Sequence, residues 1–245
     1  LGRMDEARGE FSSLLQQFPE DDDLRFSLAL VCLEAEAWRE AIVYLEELIQ
    51  RDAHVDPAQY NLGRAHEALG EVDDALLAYS MVGGGTDYLP AQARMTDLLV
   101  ANGRSAEASR HLAEARDSEP EYALQLYLIE AESLSKQNKA DQAWNLIQQA
   151  LKQYPGDINL LYTRAMLAEP RGDLKQLERD LRLILEREPD NAMALNALGY
   201  TLVDRTDRHQ EGLELIQKAH DLNPEDPAIL DLSLIHISEP TRPER

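Results

Sequence analysis

The sequence contains few of the residues on which covalent chemistry, cross-linking and metal binding depend. Its 245 residues include one cysteine, Cys32, so no intramolecular disulfide can form. Cys32 lies in the apolar run from Leu28 to Leu33, which predicts a buried structural thiol rather than a nucleophile. None of the six histidines pairs with another at the spacing of metal ligands. Without a catalytic or nucleotide-binding motif, we expect no enzymatic activity, no cofactor and no metal site.

Positive charge is scarce as well. The chain carries 24 Lys and Arg against 46 Asp and Glu, a formal net charge of −22 at neutral pH. A field of this sign repels the phosphates of nucleic acids and of anionic membrane surfaces. We therefore expect no nucleic-acid partner and no direct insertion of this chain into a membrane. Most of the acidic side chains are expected to solvate the outer faces of helices.

What the sequence does contain is a repeat of about 34 residues that runs almost from end to end. One position recurs every 33 to 35 residues and is small in all units but one: Ala7, Ala41, Ala75, Ala108, Ala143, Leu177 and Gly212. Four residues after each of these comes a large apolar or aromatic residue. A fixed period of this length is typical of the tetratricopeptide repeat (TPR), a protein-binding array rather than a catalytic domain.

The segment from Ile158 to Asn191 shows how one repeat unit is built. Apolar residues recur at helical spacing before and after Gly172, which predicts two amphipathic helices joined by a turn. Gly172 suits a left-handed cap because it has no Cβ atom, and Asn138 and Asp207 occupy the equivalent position in other units. Pro189 then ends the second helix. One such hairpin cannot bury its apolar face alone, so neighbouring units must stack.

The sequence thus predicts an all-α fold, a TPR α-solenoid in which antiparallel helix pairs form a right-handed superhelix. We expect one continuous array over residues 1–231: a half repeat at 1–21, six full repeats at 22–226 and a truncated repeat at 227–231. The three glycines at Gly83–Gly85 predict a loose junction with few apolar contacts, since glycine weakens a helix end.

The repeat pattern stops abruptly after Asp231. The run LSLIHISEPTR, which begins at Leu232, matches the translation of a transposon-end sequencing adapter. We therefore interpret residues 232–245 as a non-native tail. Leu1 falls inside a repeat, so the native N-terminus is expected to lie upstream, together with any signal peptide or lipid-accepting cysteine.

Three stretches resemble one family more specifically. They read YLIEAESL from Tyr127, LLYTRAMLAE from Leu160, and ALNALGYTLVDRTDRHQEGLELIQKAHDLNPEDPAILD from Ala194. These segments resemble the TPR outer-membrane lipoproteins of gammaproteobacteria, which act as adaptors of a periplasmic C-terminal-processing protease. The resemblance implies a non-catalytic scaffold at the periplasmic face of the outer membrane, with the serine protease and its substrates as partners. A lipid anchor would then lie upstream of residue 1.

We expect the partner to bind in the concave groove formed by the first helices of the repeats. Tyrosine offers a rigid apolar ring with a hydroxyl group, and methionine adapts to differently shaped partners. The candidate groove residues are Tyr60, Asn61, Arg64, Arg94, Tyr162, Met166, Met193, Asn196 and Tyr200. The tyrosines could instead pack between adjacent first helices.

Two other functions stay open on the sequence alone. A cytoplasmic co-chaperone would clamp an acidic C-terminal peptide between converging cationic and amide side chains. Asn61, Arg64 and Arg94 match that requirement in part, whereas Glu67 and Asp97 oppose it. Alternatively, the repeats could be one arm of a larger enzyme.

Overall fold

The computed structural model describes residues 2–224, and within these residues the chain is entirely helical. It contains thirteen α-helices, two short 3-10 turns at Gly85–Asp87 and Pro120–Tyr122, and no β-strand in this described part. The helices are α1 (Gly2–Gln17), α2 (Asp22–Glu34), α3 (Trp38–Gln50), α4 (Val55–Ala68), α5 (Val72–Ser80), α6 (Tyr88–Ala101), α7 (Ser105–Ser118), α8 (Ala123–Lys136), α9 (Ala140–Gln153), α10 (Ile158–Ala168), α11 (Leu174–Arg187), α12 (Ala192–Arg205) and α13 (His209–Leu222). The predicted all-α TPR solenoid is confirmed as a fold class.

The chain forms two compact units that divide within α8, between Ser133 and Leu134. Unit 1 contains α1 to α7 and most of α8, and unit 2 contains α9 to α13. In each unit consecutive helices pack on each other, for example α2 on α3 and α12 on α13, and Leu112 of α7 clusters with Leu126 of α8. This nearest-neighbour packing is what a stack of helix pairs requires.

Three of the first helices, α2, α10 and α12, begin where a short polar side chain caps them. Asp157 accepts a hydrogen bond from the backbone N–H of Leu160 at 3.0 Å, and Asn191 accepts one from Ala194 at 3.0 Å. Asp21 caps α2 in the same way. Each such cap satisfies a backbone donor that the helix leaves unpaired and contributes about 1 kcal/mol. The caps thereby set the starting residues of α10 and α12, the two helices that carry the candidate groove residues of unit 2.

The turns inside the pairs follow the predicted left-handed geometry, with one exception. Gly172 has a φ of 70° and Asn138 a φ of 59°, as the sequence predicts. The prediction for Asp207 is wrong, because it is not among the residues with positive φ. There the chain leaves α12 through an extended Thr206, whose hydroxyl donates to Leu202 O at 2.6 Å and accepts from Arg208 N at 3.1 Å. The threonine hydroxyl replaces the left-handed cap.

The recurring small residues of the repeat lie in the core. Ala41, Ala75, Ala108 and Ala143 are all buried, and Gly212 is buried as well. The larger residue four positions later is buried in most units, for example Leu45, Tyr79, Leu112, Ile147 and Leu181. These two positions lie one helical turn apart, so both face the same side of the second helix.

The glycine segment at Gly83–Gly85 is not the loose junction that the sequence predicts. Val82 and Tyr88, on either side of it, are buried in a single apolar cluster. The backbone N–H of Gly83 also donates to the Asp56 carboxylate at 2.8 Å. The prediction failed because it considered the weak helix propensity of glycine and not the burial of the flanking side chains.

Two predicted segments lie outside the described residues: the truncated repeat at 227–231 and the adapter-derived tail at 232–245.

Candidate protein-binding surface

In unit 2, the candidate residues form one stripe on each of two first helices. Met193, Asn196 and Tyr200 follow one another at intervals of three and four residues on α12, so they share one face of that helix. Tyr162 and Met166 do the same on α10. We call these five residues the unit 2 stripes.

The exposure of the unit 2 stripes suits a surface that binds a partner. Met193 is 58% exposed and so presents apolar area at the surface. Tyr162, Met166, Asn196 and Tyr200 are partly buried. Burial also raises the pKa of the Tyr162 hydroxyl, so this group stays protonated and can donate a hydrogen bond.

The side-chain oxygen of Asn196 in unit 2 lacks a hydrogen-bond donor among the described residues. This Oδ1 atom is also shielded from solvent. A buried acceptor without a donor costs about 1–3 kcal/mol. A partner's N–H or O–H group would recover that cost only if the Asn196 side chain rotates so that Oδ1 reaches the surface.

A buried ion pair holds α10 in place beneath its stripe. The Arg164 guanidinium donates to both carboxylate oxygens of Asp180 on α11, at 2.8 and 2.7 Å. Arg164 also donates to Gln148 on α9 at 3.0 Å, and Gln176 donates to Asp180 at 2.9 Å. One arginine therefore joins three helices and fixes the rotation of α10, which positions Tyr162 and Met166.

In unit 1, the candidate residues on α4 hydrogen-bond within their own helix. The Asn61 amide donates to Pro57 O at 2.8 Å and accepts from Arg64 at 2.9 Å. Asn61 is buried, and the Tyr60 ring packs against the Tyr79 ring with centroids 6.1 Å apart. These contacts already use Asn61 and part of Tyr60 for packing inside the unit.

Arg94 on α6 is paired as well. Its guanidinium lies 3.3 Å from the Glu67 carboxylate, which also accepts a 2.6 Å hydrogen bond from the Tyr79 hydroxyl. Burial, followed by the hydrogen bond to Glu67, raises the pKa of Tyr79 far above its usual range. Arg94, a cation that a carboxylate clamp would need, is thus already paired with Glu67.

Two clefts in unit 1 were not predicted from the sequence. The larger, of about 630 Å³, has walls from α3 and α5 and a floor from α4. The smaller, of about 320 Å³, lies among α5, α6 and α7 and includes His111. A signal for the larger cleft exists in the sequence: Leu77 on α5 and Met81 at its C-terminal end are apolar, four residues apart, and off the core positions Ala75 and Tyr79.

One group in the described part of the chain has the donor types of a metal site. His66, Glu71 and Asp74 place one donor atom each within 4.8 Å of one another. His66 Nδ1 lies 2.8 Å from Glu71 Oε2, however, and Arg39 forms an ion pair with the same carboxylate. The hydrogen bonds from His66 and Arg39 lower the pKa of Glu71. Glu71 is thus already paired with His66 and Arg39, whereas Asp74 is exposed beside them.

None of the helices described between residues 2 and 224 combines the length and the apolar character needed to cross a lipid bilayer.

Comparison with known proteins identifies the class. Two sequence profiles described as "Tetratricopeptide repeat" match the chain, one over residues 32–84 and the other over residues 1–56 and 94–158. Together with the helix pairs and their period, these matches show that the chain belongs to the tetratricopeptide-repeat family. Proteins of this family are in general non-catalytic scaffolds that bind other proteins.

The chain is similar to a TPR repeat-containing protein of Pseudomonas aeruginosa. The two are 63% identical over 177 residues, which is 72% of this chain and 30% of the relative. The chain thus spans less than a third of the length of that relative.

Solved structures share the fold at low sequence identity. PilW, a type IV pilus biogenesis factor, aligns with a TM-score of 0.55 at 16% identity over 86% of this chain and 98% of its own. A tetratricopeptide repeat protein from Parabacteroides merdae aligns with a TM-score of 0.54 at 14% identity, over 97% of this chain and 93% of its own.

Proposed function

We propose that this chain is part of a non-catalytic adaptor that binds a C-terminal-processing serine protease and presents substrates to it. The family supports the general role, because tetratricopeptide-repeat proteins bind protein partners. The specific role is supported by the resemblance of the segments from Tyr127, Leu160 and Ala194 to adaptor lipoproteins. The same resemblance supports the periplasmic face of the outer membrane as the location, with a lipid anchor upstream.

The unit 2 stripes are the surface we assign to the partner. The observation that carries this assignment is the exposed Met193, which shares one face of α12 with the partly buried Asn196 and Tyr200. Exposed apolar area beside amide and hydroxyl groups is what a partner's apolar and polar side chains would cover. The candidate residues in unit 1 support the assignment less, since Asn61 and Arg94 already have partners within the unit.

The test is binding of the purified protease to the intact chain, measured by calorimetry. Met193→Glu and Asn196→Ala should each weaken binding, and Tyr162→Ala combined with Tyr200→Ala should cost more than about 2 kcal/mol, the scale of an interface hot spot. Leu213→Glu on α13 is a matched control, because Leu213 is 41% exposed and lies outside the stripes. Circular dichroism checks the fold of each variant.

Unchanged affinity in folded stripe variants would place the binding surface on other repeats. If the wild-type chain does not bind the protease at all, the protease role is wrong for this segment. The co-chaperone alternative is tested with the same chain. If that alternative is correct, a peptide with an acidic C-terminus binds to the chain and Arg94→Ala abolishes the binding. The sequence of the intact gene tests the enzyme-arm alternative, which requires a catalytic domain beyond residues 1–231.

A further inference from the structure

The larger cleft of unit 1 is open, apolar along one wall and unoccupied by side chains of the unit. Leu77 on α5 and Met81, which directly follows α5, are 63% and 57% exposed, and Ile49 on α3 also lines the cleft. Leu62 on α4 forms an apolar part of the floor, and Ala78 adds to the α5 wall. Two large apolar side chains that remain this exposed on one wall of a cleft are typical of interaction sites.

The charges on the rim of the cleft are mostly negative. Glu46 on α3 and Asp74 on α5 line the cleft, are exposed, and form no ion pair with any residue in the described part of the chain. The one cation of the lining, Arg39, is engaged by Glu71. A cationic side chain placed between Glu46 and Asp74 would therefore meet two carboxylates without a competing internal partner.

The length of the cleft fits a short helix. Its α3 wall runs from Arg39 to Gln50, which corresponds to about 16 Å at 1.5 Å per residue, or about three helical turns. An amphipathic helix that lays an apolar stripe into a groove between two helices is a common recognition mode.

We propose that this cleft docks a basic amphipathic helix of a partner protein. The apolar stripe of the helix contacts Leu77 and Met81, and its lysine or arginine side chains pair with Glu46 and Asp74. This is a second binding surface, on α3 and α5, and it does not depend on the unit 2 stripes or on the identity of the protease.

The test uses two synthetic helical peptides of about 14 residues, about the span of the cleft with one extra residue at either end. Both carry leucine at intervals of three and four; one has lysine and the other glutamate at the polar positions. Binding to the intact chain is measured by fluorescence anisotropy at about 0.15 M salt, where long-range attraction is screened. We expect the lysine peptide to bind and the glutamate peptide to bind at least about tenfold more weakly.

The decisive variant is Leu77→Glu, because it separates apolar docking from general attraction to an acidic protein. It adds a negative charge, so purely electrostatic binding of the lysine peptide would become tighter. Docking in the cleft predicts at least about tenfold weaker binding, since the leucine contact is lost. Leu213→Glu adds the same charge on α13 and should change binding less than about twofold.

A charge variant completes the test. Glu46→Lys combined with Asp74→Lys should abolish binding, whereas Glu186→Lys combined with Asp207→Lys, an equal charge change at exposed positions of unit 2, should leave most of it. Equal losses in both pairs would overturn the proposal, as would tighter binding by Leu77→Glu. If the chain instead forms dimers that Leu77→Glu dissociates in sedimentation experiments, the occupant is a second copy and the proposal is wrong. Circular dichroism confirms that each variant is folded.

Discussion

Gly199 on α12 and Gly212 on α13 face each other so closely that neither position has room for a side chain. A Cβ atom on Gly199 would lie 2.7 Å from the carbonyl oxygen of Gly212, and one on Gly212 would lie 2.6 Å from the carbonyl oxygen of Gly199. The two backbones therefore pack directly on each other. This contact sets the separation of the helix pair that carries Met193, Asn196 and Tyr200.

The first prediction is that Gly212→Ala destabilises unit 2 by about 1–3 kcal/mol, despite the higher helix propensity of alanine. The new methyl group would meet backbone atoms, which cannot rotate away, and the Val203 side chain at 2.6 Å. Urea unfolding measures the effect. Gly9→Ala is the control: nothing lies within 4 Å of its Cβ position in α1, so it should stabilise by up to about 1 kcal/mol. Equal effects of the two substitutions would contradict the close packing.

Much of this fold could be predicted from the period alone. The close packing at Gly212 could not. The repeat places a small residue at this position because neighbouring helices approach there, and Ala41 and Ala143 confirm the rule by their burial. Whether alanine or only glycine fits depends on the crossing of one helix pair, which a period does not specify. The turn at Thr206 was missed for a similar reason, since a hydroxyl cap competes with the left-handed residue that the repeat predicts.

The second prediction concerns the Arg164–Asp180 pair, in which Asp180 is fully buried. Arg164→Met should destabilise the protein by about 3–5 kcal/mol, because it leaves an uncompensated carboxylate in the core. Adding Asp180→Leu should recover most of the loss, since an apolar pair can replace a buried ion pair. Urea unfolding of the single and double variants measures the coupling.

The control for that cycle is the surface pair of Lys218 and Asp190, with a separation of 2.8 Å and both side chains largely exposed. Lys218→Met should change stability by less than about 1 kcal/mol. If Arg164→Met also lowers the free energy of unfolding by less than about 1 kcal/mol, the buried pair does not hold α10 in place.

The candidate surface was less predictable than the fold. Helical spacing puts Met193, Asn196 and Tyr200 on one face of α12, because this follows from 3.6 residues per turn; that this face binds a partner stays a prediction. The sequence did not reveal that Arg164 pairs with Asp180, or that Glu67 binds Arg94. These contacts join different helices and depend on side-chain rotamers, which no spacing rule determines.

The third prediction concerns Cys32, which is buried in α2 as the sequence predicts. Burial, with a smaller contribution from Glu40, raises the pKa of its thiol to about 11. At about pH 8 the reactive thiolate is then scarcer by roughly two orders of magnitude than in an ordinary cysteine. The Cys32 thiol of the native protein should react with a disulfide reagent at least about 100-fold more slowly than the same thiol in protein unfolded by concentrated urea. In urea the reaction should go to completion. Fast reaction of the native protein would show that the α2 region opens readily.

The fourth prediction concerns the pH dependence contributed by His111 on α7. Its Nε2 lies 2.6 Å from the buried Gln92 amide oxygen, and burial lowers the pKa of His111 although Glu114 and Glu107 act in the opposite direction. The folded state therefore favours the neutral imidazole, whereas the unfolded chain binds a proton near the usual pKa of about 6.5. As pH falls below that value, the unfolded state binds more protons, so stability decreases until the lowered folded-state pKa is reached.

The measurement is the urea midpoint of wild type and His111→Gln between about pH 7.5 and 5, a range in which histidine titrates. The variant should lose the part of the decline that begins near pH 6.5, because glutamine retains a hydrogen-bond donor but does not titrate. His209→Gln, at the exposed start of α13, is the matched control and should follow the wild-type curve. The assignment to His111 is wrong if the difference in urea midpoint between wild type and His111→Gln stays constant over this range.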